Sequence, residues 1–272
     1  MKVKTLPMIF LSTVISLLLI NSTSALTLFK ETFESGKLSD WGLEGAYSTS
    51  IEVVTSPVRS GKSATKFTLN RTDPLVAGNK RAEIKKKGKF ANVGKEFWYG
   101  FSMYVPTYWE TDALSSEILA QLHDQPDTDL GKTWRSPQVS LGIKGEQWYL
   151  RNRWDSEPKT IINSLNSKVN INDFDLGLVK KGAWTDWVVH AKWSYGADGI
   201  LEIWKDGVRV VQYNGPNAYN DQKSPYWKFG VYKPDWKKPN YGGSVVTSRT
   251  IFLDNVKFGD SNSNYNQVNP AK

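Results

Sequence analysis

Short stretches in which apolar and polar residues alternate recur along the chain from residue 27 onward. Successive side chains of a β-strand point to opposite faces of the sheet, so this alternation predicts half-buried strands. No stretch carries a helical period of comparable length. The predicted strands are residues 27–33, 63–69, 80–84, 96–105, 116–123, 138–143, 147–154, 184–193, 199–205, 208–213, 226–232 and 250–258.

Turn residues between these stretches indicate how the strands are connected. Asp206 and Gly207 lie between GILEIWK and VRVVQYN, and both tolerate the positive φ angles of a type I′ turn, which predicts a two-residue hairpin. Gly, Pro and Asn punctuate the other connections, and strands do not alternate with helices. The pattern therefore predicts an all-β fold, a β-jelly roll of the concanavalin A-like antiparallel sandwich type.

The two ends of the chain differ in composition from the rest. Two lysines, an apolar run and small residues before Ala25 are typical of a secretory signal peptide, so residues 1–25 are predicted to be one and the protein to be secreted or periplasmic. Residues 26–260 are then expected to form one domain. The tail, residues 261–272, is polar and predicted to be disordered.

Composition narrows the classes of partner. The net charge is +8, and the chain has 12 Trp, 12 Tyr and no Cys. An exported protein without disulfides must rely on a sizeable core, and the basic excess is compatible with a polyanionic partner. The lysine run 85–87 is typical of a solvated turn, so no nucleic acid is expected. The N-terminal apolar run is shorter than the roughly 20 residues of a membrane span, and we expect no membrane partner and a monomer.

Three of the predicted strands carry chemically reactive or charged side chains two residues apart. On a half-buried strand these positions usually hold ordinary solvent-exposed residues. The three strand segments are NKRAE (79–83), QLH (121–123) and YWKFGVY (226–232). Residues two apart share a face. The sets are Asn79, Arg81 and Glu83; Gln121 and His123; and Tyr226, Lys228 and Tyr232, with Trp227, Phe229 and Val231 on the core face. If the strands lie in one sheet, one surface carries an Arg, a Gln, a His, a Lys and two Tyr.

That set of side chains suits removal of the C5 proton of a uronic acid. The carbanion is unstable unless the neighbouring carboxylate is neutralised, and Arg81, Gln121 and Asn79 are suitable neutralisers. A base must take the proton and an acid must protonate the departing oxygen. Lys228 is expected to lower the pKa of the Tyr232 phenol. Either Tyr232 makes both transfers, or His123 takes the proton and Tyr232 returns one.

The same residues carry a resemblance to a known family. In this order, RAE, QLH and YWKFGVY resemble the R-x-E, Q-x-H and Y-x-K-x-G-x-Y motifs of jelly-roll polysaccharide lyases, namely alginate lyase family seven, glucuronan lyase family twenty and the heparin lyase I family. The similarity spans most of residues 28–258 and is strongest with the glucuronan lyase and heparin lyase I group. It includes YGFSMYVP, QLHDQPD, SPQVSL, WTDWVVHAKWS, GILEIWKDGVRV and IFLDNVKFG.

The resemblance implies roles for individual residues. Tyr232 and His123 match the catalytic tyrosine and histidine, Gln121 and Arg81 the carboxylate neutralisers, and Lys228 the substrate-contacting lysine. RAEIK lacks the second arginine of the alginate motif R-x-E-L-R, and YKPDW replaces Y-N-Q. The resemblance therefore implies β-elimination on glucuronan or a related polyglucuronate, with an alginate or heparin-type lyase as the alternative. It implies no cofactor for the chemistry.

Further side chains are candidates for contacts with an acidic polysaccharide. Tyr226 and Asn79 lie beside the predicted catalytic residues. Tyr149, Arg151 and Arg153 share one face of QWYLRNRW. We expect that face either to bind further uronates or to be a salt-bridged outer face. Glu83 is expected to hold Arg81 rather than act on sugar. His190, on another predicted strand, is expected to be structural.

Two other functions, glycoside hydrolysis and non-catalytic sugar binding, fit parts of the pattern. A glycoside hydrolase needs two carboxylates facing the bond, and only dispersed acids such as Asp124, Asp127, Glu202 and Asp206 are available. A non-catalytic lectin-like binder would keep the fold and the aromatics but has no need of His123 beside Tyr232.

Calcium is a candidate structural ion, because ETFESGKLSDW and FLDNVKFG resemble the paired terminal strands that hold calcium on many carbohydrate-active jelly rolls. The predicted ligands are Glu31 and Asp254, with Glu34 as an alternative to Glu31.

Overall fold

A computed structural model describes Met1 and residues 27–88, 93–160 and 169–272. Its strands are β1 (Thr27–Glu31), β2 (Trp41–Glu44), β3 (Ile51–Val54), β4 (Ala64–Asn70), β5 (Arg81–Lys86), β6 (Glu96–Val105), β7 (Asp112–His123), β8 (Val139–Gly145), β9 (Gln147–Trp154), β10 (Asn170–Leu178), β11 (Ala183–Lys192), β12 (Ile200–Lys205), β13 (Val208–Asn214), β14 (Tyr226–Tyr232) and β15 (Ser248–Asp260). One short helix, α1 (Tyr265–Val268), follows. The predicted signal peptide, residues 1–25, lies outside the described residues apart from Met1.

The strands of the described ranges form two antiparallel sheets packed face to face. The front sheet has the order β10-β9-β8-β7-β14-β5-β2, and the back sheet has the order β13-β12-β11-β6-β15-β4-β3, with β1 also paired to β15. Neighbours far apart in sequence are adjacent in space, as in a jelly roll. The predicted β-jelly roll is confirmed.

Aromatic side chains fill the space between the sheets. Trp227, Phe229 and Val231 of β14 are buried, as their alternation predicts. The ring of Phe101, on β6 of the back sheet, lies 5.2 Å from Trp227 and 5.0 Å from Phe229 between centroids. Burial of each large apolar side chain contributes about 1.5–3 kcal/mol, so this face fixes which side of β14 is open.

The hairpin between β12 and β13 is also as predicted. Asp206 and Gly207 have φ angles of 50° and 85°, which are the positive values of a type I′ turn. Three strands were not predicted: β2, β3 and β10. The first two have only four residues each, and β10 is an edge strand whose side chains are mostly exposed, so it lacks a buried alternation.

The polar tail does not follow the prediction of disorder. Asn264 caps α1 by accepting hydrogen bonds from the main-chain N–H groups of Asn266 and Gln267. Val268 is fully buried, and the Asn255 side chain donates to the Pro270 carbonyl at 2.8 Å. The polar composition of the tail did not predict this order. One buried valine and a capped helical turn are enough to fix so short a segment against the sheet.

Candidate active site

The register of β14 against its two neighbours assembles the predicted site on the open face of the front sheet. Side chains at paired positions of neighbouring strands share a face. The pairs are Tyr226 with His123, Lys228 with Gln121, Gly230 with Glu83, and Tyr232 with Arg81. We call this line of pairs the polar row. The three segments singled out in the sequence thus lie on adjacent strands, β5, β14 and β7.

Charged groups are tightly connected in the middle of the polar row. Arg81 Nη1 lies 3.1 Å from Glu44 Oε2 and 3.3 Å from Glu83 Oε2, while Lys228 Nζ lies 2.7 and 2.9 Å from the same two atoms. The Gln121 amide donates to the other oxygen of Glu83. Glu83 therefore holds Arg81, as expected, and it holds Gln121 and Lys228 as well.

Glu44 is a member of this cluster that sequence reasoning missed. Glu44 lies on β2, opposite Glu83 in the strand pairing. Lys85 Nζ lies 3.0 Å from Glu44 Oε1 and is the third cation beside this carboxylate. Burial opposes ionisation of Glu44, but the hydrogen bonds and charges of Lys228, Lys85 and Arg81 outweigh it and lower its pKa to about 2. Glu44 is therefore an anion at any ordinary pH.

Lys228 differs from its predicted role. Its side chain is only 2% exposed and its ammonium group is enclosed by the two carboxylates, so it does not present a free cation to the groove. Lys228 and Tyr232 are also not neighbours on this face of β14, because Gly230 lies between them. The expectation that Lys228 contacts substrate and lowers the pKa of Tyr232 is not supported by this geometry.

Tyr232 is held by two neighbours. Asn79 Nδ2 donates to the phenol oxygen at 2.8 Å, and the Arg81 guanidinium carbon lies 4.7 Å from the ring centroid. Burial raises the pKa of Tyr232, Arg81 opposes the shift and Glu83 adds to it, so that the net direction is upward. The predicted lowering is wrong because desolvation of the phenolate outweighs the nearby positive charge.

Gly230 is explained by strand packing. Its φ is 134°, and a Cβ at this position would overlap the carbonyl oxygen of Ala82 on β5. The glycine lets β5 approach β14 so closely that Glu83 reaches both Gln121 and Lys228.

His123 marks the other end of the polar row. Its ring lies 5.6 Å from that of Tyr226 and 5.7 Å from the indole of Trp134 between centroids. Tyr226 and Tyr232 are six residue steps apart on β14, or about 20 Å along an extended backbone at 3.3 Å per residue. The imidazole of His123 and the phenol of Tyr232 therefore reach one sugar only if both side chains lean along the strand toward Glu83.

A groove continues from the polar row across β7, β8, β9 and β10. Its cavity has a volume of about 810 Å³, within the range of ligand sites. Tyr149, Arg151 and Arg153 all line it, as does Ile118, the partner of Tyr232 on β7. These three predicted binding residues therefore lie in the same surface as the polar row.

The two arginines of the groove are partly engaged. Arg151 forms a two-point ion pair with Asp173, both nitrogen–oxygen distances being 2.6 Å, and Arg153 donates to Pro137 O and Ser140 Oγ at 3.2 Å. The ion pair of Arg151 agrees with the salt-bridged interpretation of this face, and the binding of further uronates by these groove-lining side chains stays a prediction.

His190, Glu202 and Asp206 lie on the back sheet, away from the polar row. His190 is on β11 of the back sheet, stacked on Trp98 at 4.0 Å and bonded to Glu202 and Glu96 at 2.8 and 3.1 Å. This is the structural setting expected for it. Asp206 is in the hairpin turn of the same sheet, so Glu202 and Asp206 do not face the groove.

The predicted calcium ligands have other partners. Glu31 accepts hydrogen bonds from Phe33 N at 2.8 Å and Trp41 Nε1 at 3.3 Å. Asp254 accepts from the main-chain N–H groups of Arg59, Ser60 and Asn255, and Glu34 from those of Lys62 and Ser63. Within the described ranges no three acidic or histidine side chains are grouped to hold a metal. Calcium at Glu31 and Asp254 stays a prediction without support from these contacts.

A model of the polysaccharide lyase family matches residues 33–257. The chain belongs to the polysaccharide lyase family. The protein is thus a lyase, and membership implies an acidic polysaccharide as substrate. No curated protein sequence matches it.

Solved structures similar to this polysaccharide lyase support the fold. The endo-β-1,4-glucuronan lyase of the fungus Trichoderma reesei has a TM-score of 0.74 at 24% identity, over 90% of this chain and 99% of that one. A family 7 alginate lyase in complex with substrate gives 0.53 at 16%, over 84% and 95%. The alginate lyase AlyC3 gives 0.51 at 14%, over 72% and 75%.

The described part of the polysaccharide lyase contains no helix with the length and apolarity required to span a bilayer.

Proposed function

We propose that this polysaccharide lyase cleaves a glucuronate polymer, glucuronan or a related polyglucuronate, by β-elimination. Export by a leader at residues 1–25 and action as a monomer are parts of the same proposal. The observation that carries it is the polar row, in which the register of β5, β14 and β7 unites Arg81, Gln121, His123 and Tyr232 beside one groove.

The reaction requires stabilisation of charge on the sugar carboxylate. Loss of the C5 proton leaves an electron pair that forms the C4–C5 double bond while the bond from C4 to the glycosidic oxygen breaks. Arg81 and Gln121 supply donors where that carboxylate gains charge, and a single preorganised donor of this kind contributes about 3 kcal/mol in measured enzymes. Because Glu44 and Glu83 hold these donors in the free protein, little reorganisation is needed when the substrate binds.

The two proton transfers are assigned from the environments of the phenol and the imidazole. The pKa of Tyr232 is raised by burial, so the phenol is protonated at neutral pH and its oxygen already accepts a hydrogen bond from Asn79. It therefore suits the acid that protonates the departing oxygen. An imidazole is the side chain best suited to accept a proton near neutral pH, so His123 is the proposed base at C5.

Several observations favour glucuronate over other uronates. The site has Lys85 where the alginate motif has its second arginine, and that lysine is paired with Glu44. The similar structure with a TM-score of 0.74 is a glucuronan lyase. An alginate or heparin-type lyase is the alternative, while family membership favours a lyase over the lectin-like binder.

A substrate panel tests the proposal. Purified protein is incubated separately with glucuronan, alginate and heparin, and the ultraviolet absorbance of the new carbon–carbon double bond is followed. We expect the fastest rise with glucuronan. A faster rise with alginate or heparin would overturn the substrate assignment, and no rise with any of the three would overturn β-elimination on these polyuronates.

A phenylalanine substitution tests the proton role. Tyr232→Phe should abolish turnover while binding of the polymer is largely kept, because only the hydroxyl is lost. Tyr213→Phe is the matched control, since Tyr213 donates one hydrogen bond to Pro216 O in the back sheet and should turn over normally. Unchanged turnover of the Tyr232 variant would rule out its role as acid.

A further inference from the structure

Asp124 follows His123 directly and is fully buried. Its Oδ1 lies 2.8 Å from His123 Nδ1, and its main-chain oxygen lies 3.2 Å from the same nitrogen. The carboxylate contact is close but poorly aligned for a hydrogen bond in the free protein, as is common for catalytic contacts before substrate binds. Both atoms beside Nδ1 can only accept a hydrogen bond.

This arrangement determines which nitrogen of the neutral imidazole bears hydrogen. A neutral imidazole has one N–H donor and one acceptor nitrogen. With acceptors alone beside it, Nδ1 of His123 must be the donor. Nε2 then keeps its lone pair and is the nitrogen able to take a proton.

The carboxylate of Asp124 is itself fixed from behind. Its Oδ2 accepts from Arg135 Nε at 2.9 Å, and Arg135 also forms an ion pair with Asp221. The guanidinium carbon of Arg135 lies 4.2 Å from the ring centroid of Tyr219. Arg135 and both carboxylates are buried, so Asp124 has one orientation, with one oxygen toward Arg135 and the other toward His123.

We propose that Asp124 is a positioning residue, which holds His123 as the Nδ1–H tautomer and so leaves Nε2 free as the base. This inference rests on the proposed function for its catalytic consequence. Its structural content, the tautomer, does not depend on any activity. The buried Arg135–Asp221 pair extends the arrangement by preventing the carboxylate from turning away.

An asparagine at position 124 should reverse the tautomer. Arg135 presents an N–H donor and needs an acceptor, so the amide oxygen of Asp124→Asn is expected to face Arg135. The amide nitrogen would then face His123 and donate to Nδ1, which would place the imidazole hydrogen on Nε2. In serine proteases the same exchange beside the catalytic histidine lowers kcat by about 10⁴-fold for this reason.

The tautomer can be measured directly because the chain has only two histidines. Protein labelled with ¹⁵N in its histidines is examined by NMR at alkaline pH, and a His123→Gln variant assigns the spectrum. We expect an Nδ1–H tautomer in the wild type and an Nε2–H tautomer in Asp124→Asn. An Nε2–H tautomer in the wild type, or the same tautomer in both, would overturn the proposal.

Kinetics provide the second readout, with a control from the same loop. Asp124→Asn should lower kcat by about 10²- to 10⁴-fold with little change in KM. Asp127→Asn removes the same charge from a buried aspartate that pairs with Lys132, at 2.7 Å, and should change neither the tautomer nor kcat by more than a few fold. Thermal unfolding of both variants confirms that they are folded.

The outcomes separate this proposal from the proposed function. If no polyuronate is cleaved, the β-elimination assignment fails, yet the NMR comparison still decides whether Asp124 sets the tautomer. If cleavage occurs and Asp124→Asn keeps wild-type kcat, the positioning role is wrong while the lyase function stands.

Discussion

Two carboxylates determine how the cations of the site are presented. Glu44 on β2 and Glu83 on β5 both bind Arg81 and Lys228, so neither cation is free to swing toward solvent. Removing one partner of a buried ion cluster leaves the other charges uncompensated. The resulting loss of folding free energy is larger than the net stabilisation that the intact pair provides. At the residue scale the arrangement predicts a pH dependence that can be assigned to Glu44.

Stability should fall with acid through the titration of Glu44. Its pKa is about 2 in the folded protein against an ordinary 4.5, so between pH 4.5 and 2 the unfolded chain binds more protons and stability falls as pH falls. The full effect is at most about 3 kcal/mol. In Glu44→Gln this component should be absent, as measured by urea unfolding from pH 6 to pH 2.5.

The control for Glu44 is Glu52→Gln, which removes a partly exposed carboxylate paired with Lys66 at 3.2 Å. Exposed pairs contribute about 0–1 kcal/mol, so this variant should keep the wild-type acid slope. Equal slopes for the wild type and Glu44→Gln would contradict the assignment.

Trp134 belongs to no motif or alternating pattern of the sequence. It is 60% exposed, and its indole lies 5.7 Å from the His123 ring between centroids, with 63° between the ring planes. The next residue, Arg135, is buried in its ion pairs and fixes the loop that presents the indole. An exposed ring held beside the polar row suits the apolar face of a sugar.

Trp134→Ala should therefore raise KM about tenfold or more with kcat nearly unchanged, because burial of a large apolar side chain contributes about 1.5–3 kcal/mol. Trp134→Phe should recover part of the affinity. Tyr108→Ala removes a ring that is 67% exposed on the β6–β7 connection, and it should leave KM unaltered. A wild-type KM for Trp134→Ala would show that sugar does not stack there.

At the scale of elements, the end of β14 is anchored by a second buried ion cluster. Lys233 follows Tyr232, is completely buried, and lies 2.6 Å from Glu117 and 2.9 Å from Asp112, both on β7. Burial raises the pKa of Glu117 although Arg249 of the back sheet and Lys233 oppose it. The cluster joins both sheets at the Tyr232 end of the polar row.

Lys233→Met should destabilise the protein by about 3–5 kcal/mol, because it leaves two buried carboxylates without their lysine. Lys238→Met is the matched control, since Lys238 is largely exposed and pairs with Asp235, and the expected change is below about 1 kcal/mol. Urea unfolding at neutral pH measures both. Similar losses in the two variants would mean that the buried cluster has no special contribution.

The sequence predicted burial correctly where a single strand showed a clear alternation of apolar and polar residues. The alternation in YWKFGVY correctly assigned Trp227, Phe229 and Val231 to the core, and register then brought β5 and β7 alongside. It failed for β10, which has polar residues on both faces, and for β2, which is too short to show a period.

The missed site residues have the same cause. Glu44 lies on the unpredicted β2, and the Asp124–Arg135 and Trp134 contacts form through a loop whose path no local pattern encodes. Long-range contacts of loops depend on the whole packed structure, whereas alternation depends on neighbouring residues alone. The direction of the Tyr232 pKa shift was missed because burial is not visible in the sequence.

At the scale of the whole molecule, the C-terminal segment closes the back sheet. Lys257 on β15 donates to the carbonyl groups of Asn269 and Lys272 at 2.8 and 2.7 Å, and Val268 is packed against Gly100 of β6. The segment therefore covers strands that would otherwise be open to solvent.

Deletion of residues 261–272 should lower the free energy of unfolding by about 2–4 kcal/mol, through lost burial of Val268 and the hydrogen bonds of the segment. Val268→Ala should reproduce part of the loss. Val245→Ala, at a valine that is 70% exposed, should be neutral. A segment that did not contribute to stability would leave the urea midpoint of the truncated protein unchanged.

The internal balance of the polar row has a consequence for how the enzyme responds to salt. Arg81, Lys228 and Lys85 are already matched by Glu44 and Glu83, so their charges hold few dissolved counter-ions for an arriving uronate to displace. Screening acts most strongly on exposed, unpaired charges. Capture of the polymer by this site therefore tolerates high ionic strength, unlike capture by a surface of free lysines.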